Sequence, residues 1–270
     1  MTDEWGVERL DLDAYLARTG ASPGPLAAIH RAHVAAIPFE NLDVQLGVGV
    51  SVDLPDIEAK LVRARRGGYC YEHGLLLAAA LERLGFAVER RLARIGDPAV
   101  FPRPRSHLVL FVDGRWLADT GFGSGLLEPV PLEDGLVTRQ GGWTFRTVRL
   151  ADGAWQLHER RGGEWLTHYT VPAESTYLPD IAVANFATAH SPTSRFVVQI
   201  VVQRKDDELL RCLTGRRLTV DTPDSRIEDR AVPDEELGDV LSDLGLSLTA
   251  GQVHELVLRS SALSVLASSV

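Results

Sequence analysis

The first third of the chain has apolar residues at the spacing of amphipathic helices. Pro38 and Gly85, which cannot easily continue a helix, lie at the ends of two of the helical stretches. The pattern predicts a helical region over residues 1–85. The stretches with this spacing are LDLDAYLART, GPLAAIHRAHVAAIP, DLPDIEAKLVRAR and CYEHGLLLAAALERLGF.

From Phe86 onward, short alternating runs replace the helical spacing. Helices followed by strands and then by a mixed end indicate an α+β fold, with an antiparallel barrel or meander over residues 86–172. SRFVVQIVVQR predicts one further strand, and PDEELGDVLSDLG and AGQVHELVLRSSALSVLAS predict closing helices. Turn signals such as VDGR and RGGE separate the runs that predict the barrel. These runs are FAVERRLARI, SHLVLFV, RWLADTGFG, WTFRTVRL, AWQLHERR and EWLTHYTV.

The composition is that of a globular protein with a sizeable core. The chain has 270 residues, of which 45% are apolar and 24% charged, and its formal net charge is −9. The negative charge argues against a nucleic-acid binder, and no apolar run approaches the ~20 residues that span a bilayer. Because MTDEWGVERL lacks the pattern of a secretory signal and two cysteines make no disulfide framework, we expect a reducing, cytoplasmic location. Basic residues other than Lys60 and Lys205 are arginines, which hints at a GC-rich bacterial genome.

One of the two cysteines has a sequence context typical of a nucleophile. In RRGGYCYEHG, Cys70 follows Gly67 and Gly68 at the predicted start of a helix. Glycines let the backbone turn sharply, and the first-turn N–H groups and helix dipole then favour a thiolate, to which the two preceding arginines could add positive charge. A buried packing role is the alternative, and it is the interpretation favoured for Cys212.

A nucleophilic cysteine needs a base, and the base needs an orienting group. His107 lies in the predicted hairpin SHLVLFVDGRWLAD. If Val112-Asp113-Gly114 form a three-residue loop, Phe111 pairs with Arg115 and His107 falls opposite Asp119, with Cβ atoms ~5 Å apart. A two-residue turn would place the two side chains on opposite faces. The alternative for Asp119 is a structural role, in which it ends the strand and its side chain forms a hydrogen bond with its own turn.

The other histidines are weaker candidates. His30 and His33 lie three residues apart, as half a metal site would, but no third ligand follows at a useful spacing, so we predict ordinary helix-face residues. His73, one helical turn beyond the cysteine, is predicted to line the site and not to act as the base. His190 lies in the loop-like run NFATAHSPTSRF and its role is left open. The histidines without distinguishing neighbours are His158, His168 and His254.

Taken together, these motifs resemble the arylamine N-acetyltransferase family. The resemblance implies a cysteine-protease-like core with a Cys70–His107–Asp119 triad. It also implies a helical bundle over 1–85 that carries the nucleophile, a β-barrel over 86–195 that carries the other two residues, and a C-terminal α/β lid over 196–270. The matching segments, in family order, are IPFENLDV (37–44), RRGGYCYEHG (65–74), SHLVLFV (106–112) and ADTGFG (118–123).

The resemblance also implies roles for residues around the triad. Glu40 is expected to pair with Arg66 and so to fix the loop before the nucleophile. The family donor is acetyl-CoA, the acceptor is an arylamine, arylhydrazine or N-hydroxyarylamine, and no metal is implied. The residues expected to contact the substrates are Phe39 and Phe122, in the acyl and amine pocket, and Gly123 and Ser124, near the coenzyme's entrance.

The reaction implied is acyl transfer by double displacement. Cys70 would take the acetyl group as a thioester, and His107 would remove a proton from the attacking amine. An amide synthase that closes an ansamycin-type macrolactam shares the fold and triad and is an alternative. It would take its polyketide from an acyl carrier protein. Because carrier proteins are acidic, the negative charge of this chain counts mildly against this alternative. A papain- or transglutaminase-like hydrolase is a further alternative, which the segments IPFEN and GFG disfavour. A non-catalytic binding protein is another, which the intact triad disfavours.

Overall fold

The computed structural model describes residues 4–267, and helices form the first part of this range. Each stretch predicted to be helical contains a helix, and the ends of the first and last predicted segments, 1–3 and 268–270, lie outside the described residues. The helical elements are a 3-10 turn (Val7–Arg9), α1 (Leu12–Thr19), α2 (Leu26–Ala36), α3 (Leu42–Gln45), α4 (Leu54–Ile57), a π-helical segment (Glu58–Arg63) and α5 (Cys70–Arg83).

Helix α5 forms the centre of the helical region. Its side chains are buried without interruption from Cys70 to Leu81. A helix that is buried on every side is typical of a protein core, and α1, α2 and α4 pack against α5. The nucleophile candidate is therefore held on the most enclosed helix of this region.

An antiparallel sheet follows the helices and curls on itself. The strand order is β5-β4-β3-β2-β9-β8-β7-β6, and β5 also contacts β7, so the sheet makes a nearly closed barrel, as predicted. Buried and half-buried residues alternate along β7, as expected where one face of a strand points into the barrel. The strands are β2 (Val88–Ile95), β3 (Arg105–Val112), β4 (Trp116–Ala118), β5 (Val130–Pro131), β6 (Val137–Gln140), β7 (Trp143–Arg149), β8 (Trp155–Arg161) and β9 (Glu164–Val171), after a short β1 (Phe39–Glu40).

The hairpin of β3 and β4 has a different register from the predicted one. Phe111 pairs with Leu117, not with Arg115. Asp113 and Gly114 both have positive φ, at 52° and 62°, and the three-residue loop is Asp113-Gly114-Arg115, which begins and ends one residue later than predicted. The pairing is thus shifted by two residues. Because side chains alternate with a period of two, this shift leaves the candidate histidine and aspartate on the same face.

The C-terminal part forms a second antiparallel sheet with helices. Its strand order is β1-β10-β11-β12-β13, and β1 joins it through Phe39, which pairs with Gln203. The N-terminal region therefore contributes an edge strand to the C-terminal sheet. The elements are α6 (Leu178–His190), α7 (Arg195–Val198), β10 (Val201–Lys205), β11 (Leu210–Thr214), β12 (Arg217–Asp221), β13 (Arg226–Ala231), a 3-10 turn (Asp234–Glu236), α8 (Leu237–Asp243) and α9 (Ala250–Ala267).

Two sequence predictions in this part were wrong. The loop-like run before residue 191 belongs to α6, whose start is fixed by Asp180, which accepts the backbone N–H of Tyr177 at 2.9 Å. The predicted strand SRFVVQIVVQR begins only at Val201. The side chain of Asn41 donates to the carbonyls of residues 196 and 199, so contacts from a distant segment hold the chain out of the strand.

Candidate active site

Cys70 is the first residue of α5 and is only 3% exposed. Glu72, at the third position of the helix, accepts the backbone N–H of Tyr69 at 3.0 Å, which fixes the helix start. The Cys70 sulfur lies 3.8 Å from the carbonyl oxygen of Ser106, at the beginning of β3. The first-turn N–H groups have no acceptor within the helix, and they lie beside a buried thiol.

The glycines before Cys70 are needed for close packing. A Cβ on Gly67 would lie 2.3 Å from the carbonyl oxygen of Pro38, and one on Gly68 would lie 2.6 Å from a carboxylate oxygen of Glu72. Neither glycine has positive φ, whereas Arg65 does, at 54°. The expected backbone freedom is therefore not used at these two glycines, and the absence of a side chain is what this segment requires.

A buried charge network surrounds the segment before Cys70. We call it the Glu40 network, and it consists of Glu40, Asp43, Lys60, Arg66 and Glu72. Arg66 donates to Glu40 and Asp43 at 2.8 and 2.9 Å. Lys60 contacts Asp43 and Glu72 at 2.9 and 2.8 Å. The network ties β1 to the loop and to the first turn of α5.

The expected Glu40–Arg66 contact is therefore present, but Arg66 has a different electrostatic role from the one predicted. Burial would lower its pKa, and the carboxylates of Glu40 and Asp43 outweigh burial and raise it. Its charge is thus balanced by carboxylates and is not directed at the sulfur. Arg65 is exposed.

His107 and Asp119 form a buried pair, each 3% exposed. His107 Nε2 lies 2.8 Å from Asp119 Oδ2, and Asp119 Oδ1 accepts the N–H of Gly121 at 2.9 Å. Burial alone would lower the pKa of His107, but Asp119, with a further contribution from Cys70, raises it to about 10. Burial would raise the pKa of Asp119, and His107 reverses this and lowers it. The pair is therefore ionised at neutral pH.

His30 contacts the backbone of Asp119. Its Nε2 accepts the Asp119 N–H at 3.1 Å, and its Nδ1 lies 3.0 Å from the carbonyl oxygen of Leu127. Because Nε2 accepts, the proton is on Nδ1, and burial lowers the pKa of His30 to about 4. The prediction of an ordinary helix-face residue was wrong. The two partners are 89 and 97 residues away along the chain, so no local pattern could have indicated them.

His33 and His73 are also buried and belong to a chain of hydrogen bonds. Tyr15 hydroxyl bonds His33 Nδ1, His33 Nε2 bonds His73 Nδ1, and His73 Nε2 donates to the carbonyl of Pro38, at 3.0, 3.0 and 3.2 Å. Burial lowers the pKa of both imidazoles, that of His73 to about 4. His73 stacks on Phe39 at 6.4 Å and thus supports the predicted pocket wall, and both its ring nitrogens are engaged.

The loop after β4 packs directly on Cys70. A Cβ on Gly121 would lie 2.7 Å from the Cα of Cys70. The next residue, Phe122, has its ring centroid 5.1 Å from that of His107 and stacks on His168 at 4.7 Å. His168, which has no distinguishing sequence neighbours, thus lies immediately behind the predicted pocket residue.

The two residues predicted to lie near the coenzyme's entrance continue this loop. Gly123 has a φ of 77°, and an added Cβ would lie 2.1 Å from Oε1 of Gln203 and 2.9 Å from the Phe39 ring. The carbonyl of Ser124 accepts a hydrogen bond from Lys205 at 2.9 Å. Gly123 therefore brings the two predicted aromatic residues, Phe39 and Phe122, to the same loop.

Tyr169 is a further neighbour of the histidine–aspartate pair that the sequence did not indicate. Its ring centroid lies 5.0 Å from that of His107. Burial raises the pKa of Tyr169, and the charge of Asp119 and a side-chain interaction with its carboxylate raise it further. Tyr169 therefore remains protonated beside the pair.

The remaining candidates lie outside this cluster or make no site. His190 is exposed and its Nδ1 bonds the carbonyl of Phe186 within its own helix. Cys212 lies on β11, where burial raises its pKa. Among the described residues, no group of three or more His, Cys, Asp and Glu side chains could hold a metal ion. None of the helices within residues 4–267 is both long and apolar enough to cross a membrane.

Comparisons with known proteins identify the family. Residues 24–253 match the family model described as N-acetyltransferase. The chain is 40% identical over 228 residues to the arylamine N-acetyltransferase of Mycolicibacterium smegmatis, an alignment covering 78% of this chain and 82% of the relative.

Solved structures agree with this match. The arylamine N-acetyltransferase of Mycobacterium abscessus superposes with a TM-score of 0.90 at 34% identity, covering 97% of this chain and 98% of that one. The enzyme of Mycobacterium marinum in complex with CoA gives 0.82 at 29% identity, covering 94% and 99%. The chain therefore belongs to the arylamine N-acetyltransferase family and is an acyltransferase enzyme, as its motifs predicted.

Proposed function

We propose that this enzyme transfers an acetyl group from acetyl-CoA to an aromatic amine through a thioester on Cys70. The observation that carries the proposal is the buried His107–Asp119 pair, 2.8 Å apart, on a hairpin whose following loop packs against Cys70 at the start of α5. The structure of the M. marinum relative in complex with CoA supports acetyl-CoA as the donor. A reducing cytoplasm, where a single thiol stays reduced, suits this chemistry.

The first half-reaction acylates the enzyme. Nε2 of His107 is bonded to Asp119, so Nδ1 is the nitrogen that takes the proton of Cys70. Because Asp119 helps to raise the pKa of His107 to about 10, the imidazolium persists at neutral pH and stabilises a thiolate beside it. The thiolate attacks the thioester carbonyl, the carbon–sulfur bond to coenzyme A breaks, and coenzyme A leaves as its thiol with the proton from Nδ1, so His107 is left neutral. Backbone N–H groups in the first turn of α5 stabilise the oxyanion.

The second half-reaction forms the amide. An arylamine, arylhydrazine or N-hydroxyarylamine is mostly uncharged near pH 7, so its nitrogen can attack the acyl carbon while the neutral His107 removes its proton. The bond to the Cys70 sulfur then breaks, and the thiolate leaves beside the imidazolium, as before the reaction. Water competes with the amine for the same thioester and is far more abundant. Phe39 and Phe122 support an apolar slot that would limit its access. Gly123 and Ser124 would lie where the coenzyme enters, with residues 196–270 acting as a lid.

Mass spectrometry of the acylated enzyme tests the proposal. Acetyl-CoA alone should add one acetyl group, located on Cys70, and aniline should then discharge it as the amide. Initial rates against both substrates should give parallel double-reciprocal lines. Rapid loss of the acetyl group without amine would indicate a hydrolase. Acylation by a carrier-bound or longer thioester, but not by acetyl-CoA, would indicate a macrolactam-forming amide synthase.

The two cysteines provide a matched control. Stoichiometric iodoacetamide should label Cys70 first and abolish transfer, because burial raises the pKa of Cys212. Cys212→Ala should retain acetylation of the remaining thiol, and Cys70→Ala should lose it. Equal labelling of both cysteines, or transfer by Cys70→Ala, would contradict the assignment.

A further inference from the structure

A buried lysine that the acetyl-transfer chemistry does not use lies at the end of β10. The side chain of Lys205 is 1% exposed. Its ammonium donates at 2.9 Å to three oxygens, which are the carbonyls of Ser124 and Gly125 and Oε1 of Glu159. An ammonium has three N–H donors, and all three are used here. The site is therefore built for a compact, three-donor cation.

The surroundings of Lys205 support that conclusion. The rings of Trp143 and Phe145 lie 4.0 and 4.8 Å from the ammonium and contribute cation–π attraction inside the barrel. The chain contains only two lysines, although arginine is common. A planar guanidinium would not match three converging acceptors in so enclosed a space, whereas an ammonium does.

Glu159 connects the ammonium to the back of the acyl pocket. Its side chain is fully buried, with Oε1 on Lys205 and Oε2 on both His168 and Arg161, at 2.9 and 2.7 Å. Burial would raise the pKa of Glu159, but His168 and Lys205 outweigh it and hold the pKa at about 2. We call Lys205, Glu159, His168 and Arg161 the Lys205 network.

The Lys205 network holds the pocket loop, residues 119–125, at two points. The ammonium binds the carbonyls of its last two residues, and the His168 ring stacks on Phe122 in its middle, with the planes inclined by 21°. The loop begins with the aspartate of the triad, and Gly121 packs on Cys70. Displacement at the anchored end would therefore move Phe122 relative to His107.

We propose that Lys205 is a positioning residue for the acyl pocket, which anchors the loop that carries Phe122 so that the acetyl-thioester meets an amine and not water. The inference rests on the proposed function, because it concerns the fate of acetyl-Cys70. Lys205 itself contacts no reacting atom. It belongs to the C-terminal sheet while Glu159 belongs to the barrel, so it also joins these two sheets at the site.

Removing the ammonium should alter the second half-reaction more than the first. In Lys205→Met, which keeps the unbranched stem but has no donor, the loop carbonyls are released and Phe122 can move. Displacements near 1 Å can change rates by about 100-fold, and we expect a tenfold shorter lifetime of acetyl-Cys70 without amine and an approximately tenfold higher KM for aniline. The rate of acylation by acetyl-CoA should change less than threefold.

The experiment measures acetyl-Cys70 by mass spectrometry over time, with and without aniline. Lys205→Met leaves Glu159 with one cation fewer, so the double variant K205M/E159Q, in which the lysine–glutamate pair is neutral, is measured in parallel. Arg211→Met is the matched control, because it removes an exposed cation from the neighbouring strand. The control should retain the parent lifetime and KM.

Each result bears on the inference. A shortened lifetime and a raised KM in folded Lys205→Met or in the double variant, with acylation nearly unchanged, support it. Parent values in a folded variant, or an equal loss in acylation and discharge, overturn it. If neither variant folds, Lys205 serves folding and the positioning role is overturned. If the parent protein itself forms no acetyl-Cys70, the proposed function fails, and the inference falls with it.

Discussion

Two buried charge networks hold the two chain segments that meet at Cys70. The Glu40 network fixes the segment before the nucleophile, and the Lys205 network fixes the loop after Asp119. Each contains one of the chain's two lysines. In the first network the partners all lie within residues 40–72, whereas in the second they come from β8, β9 and β10 and bind a loop that precedes them.

The lysines of the two networks differ in their access to water, although each network also contains a fully buried glutamate. The side chain of Lys60 is 15% exposed and that of Lys205 is 1% exposed, while Arg161, at the edge of the Lys205 network, is 25% exposed. Attraction and desolvation penalty both grow as water is excluded. The ammonium of Lys205 therefore depends more strongly on its acceptors than that of Lys60 does.

Asp119→Asn should have the largest effect, because neither network can replace the carboxylate that orients and charges His107. We expect the rate of acetyl transfer to fall roughly 10³- to 10⁴-fold with little change in fold. Stopped-flow acylation of Cys70 and circular dichroism would measure both quantities. A variant that acylates at the parent rate would show that the hairpin contact is not used in catalysis.

The next prediction concerns how the stabilisation by the His107–Asp119 pair depends on pH, and it tests this pair separately from the two networks. The folded-state pKa of His107, about 10, lies above its ordinary value of 6.5. Its stabilising contribution is therefore fully present below pH 6.5 and is lost as the pH rises through 10. The difference in unfolding free energy between the parent and Asp119→Asn should shrink from pH 6.5 to pH 10.

Urea titrations at pH 6.5, 8 and 10 would measure this difference. Burial lowers the pKa of Lys205 to about 8, so this group also titrates in the range. It is present in both proteins, however, and cancels when their free energies are subtracted. A difference that stays constant, or grows, over this range would mean that the pair is not ionised in the folded protein.

Glu40→Ala tests how much the fully buried carboxylate of the Glu40 network contributes to stability. The substitution removes the carboxylate that accepts hydrogen bonds from Arg66 and from the N–H of Leu42. Both donors then lack this acceptor in a buried environment. Breaking a buried pair costs roughly 3–5 kcal/mol. The control, Arg31→Ala, breaks exposed pairs with Glu128 and Asp207 and should cost about 1 kcal/mol or less. Equal losses in urea titrations would contradict the contrast.

The smallest effect on activity concerns His30, which belongs to neither network. His30→Phe leaves the Asp119 N–H and the Leu127 carbonyl unpaired, at about 1–3 kcal/mol for each buried group. We expect kcat/KM to fall about tenfold, with Asp119 displaced. His30→Gln, whose amide can accept the same N–H, should recover most of the activity. Equal activity in the two variants would assign His30 to packing alone.

Local sequence accounts for the nucleophile's side of the site. The helical spacing, Pro38, Gly85 and the glycines before Cys70 together place a cysteine at the start of a buried helix. The helix start depends on residues within a few helical turns of each other, for which periodicity and capping are sufficient. The Glu40–Arg66 contact joins residues 26 positions apart, and only the resemblance to the family indicated it.

The sequence by itself determined the order of helices and strands, an antiparallel barrel or meander and Cys70 at a helix start. Tertiary structure decided the hairpin register, and with it the same-face placement of His107 and Asp119, the helix in place of a loop before residue 191 and the contacts of His30 and Lys205. The contacts of His30 and Lys205 join residues 46 to 97 positions apart. Such pairs leave no periodic pattern, because they are fixed only when the barrel and the C-terminal sheet pack on α5 and exclude water from the groups between them.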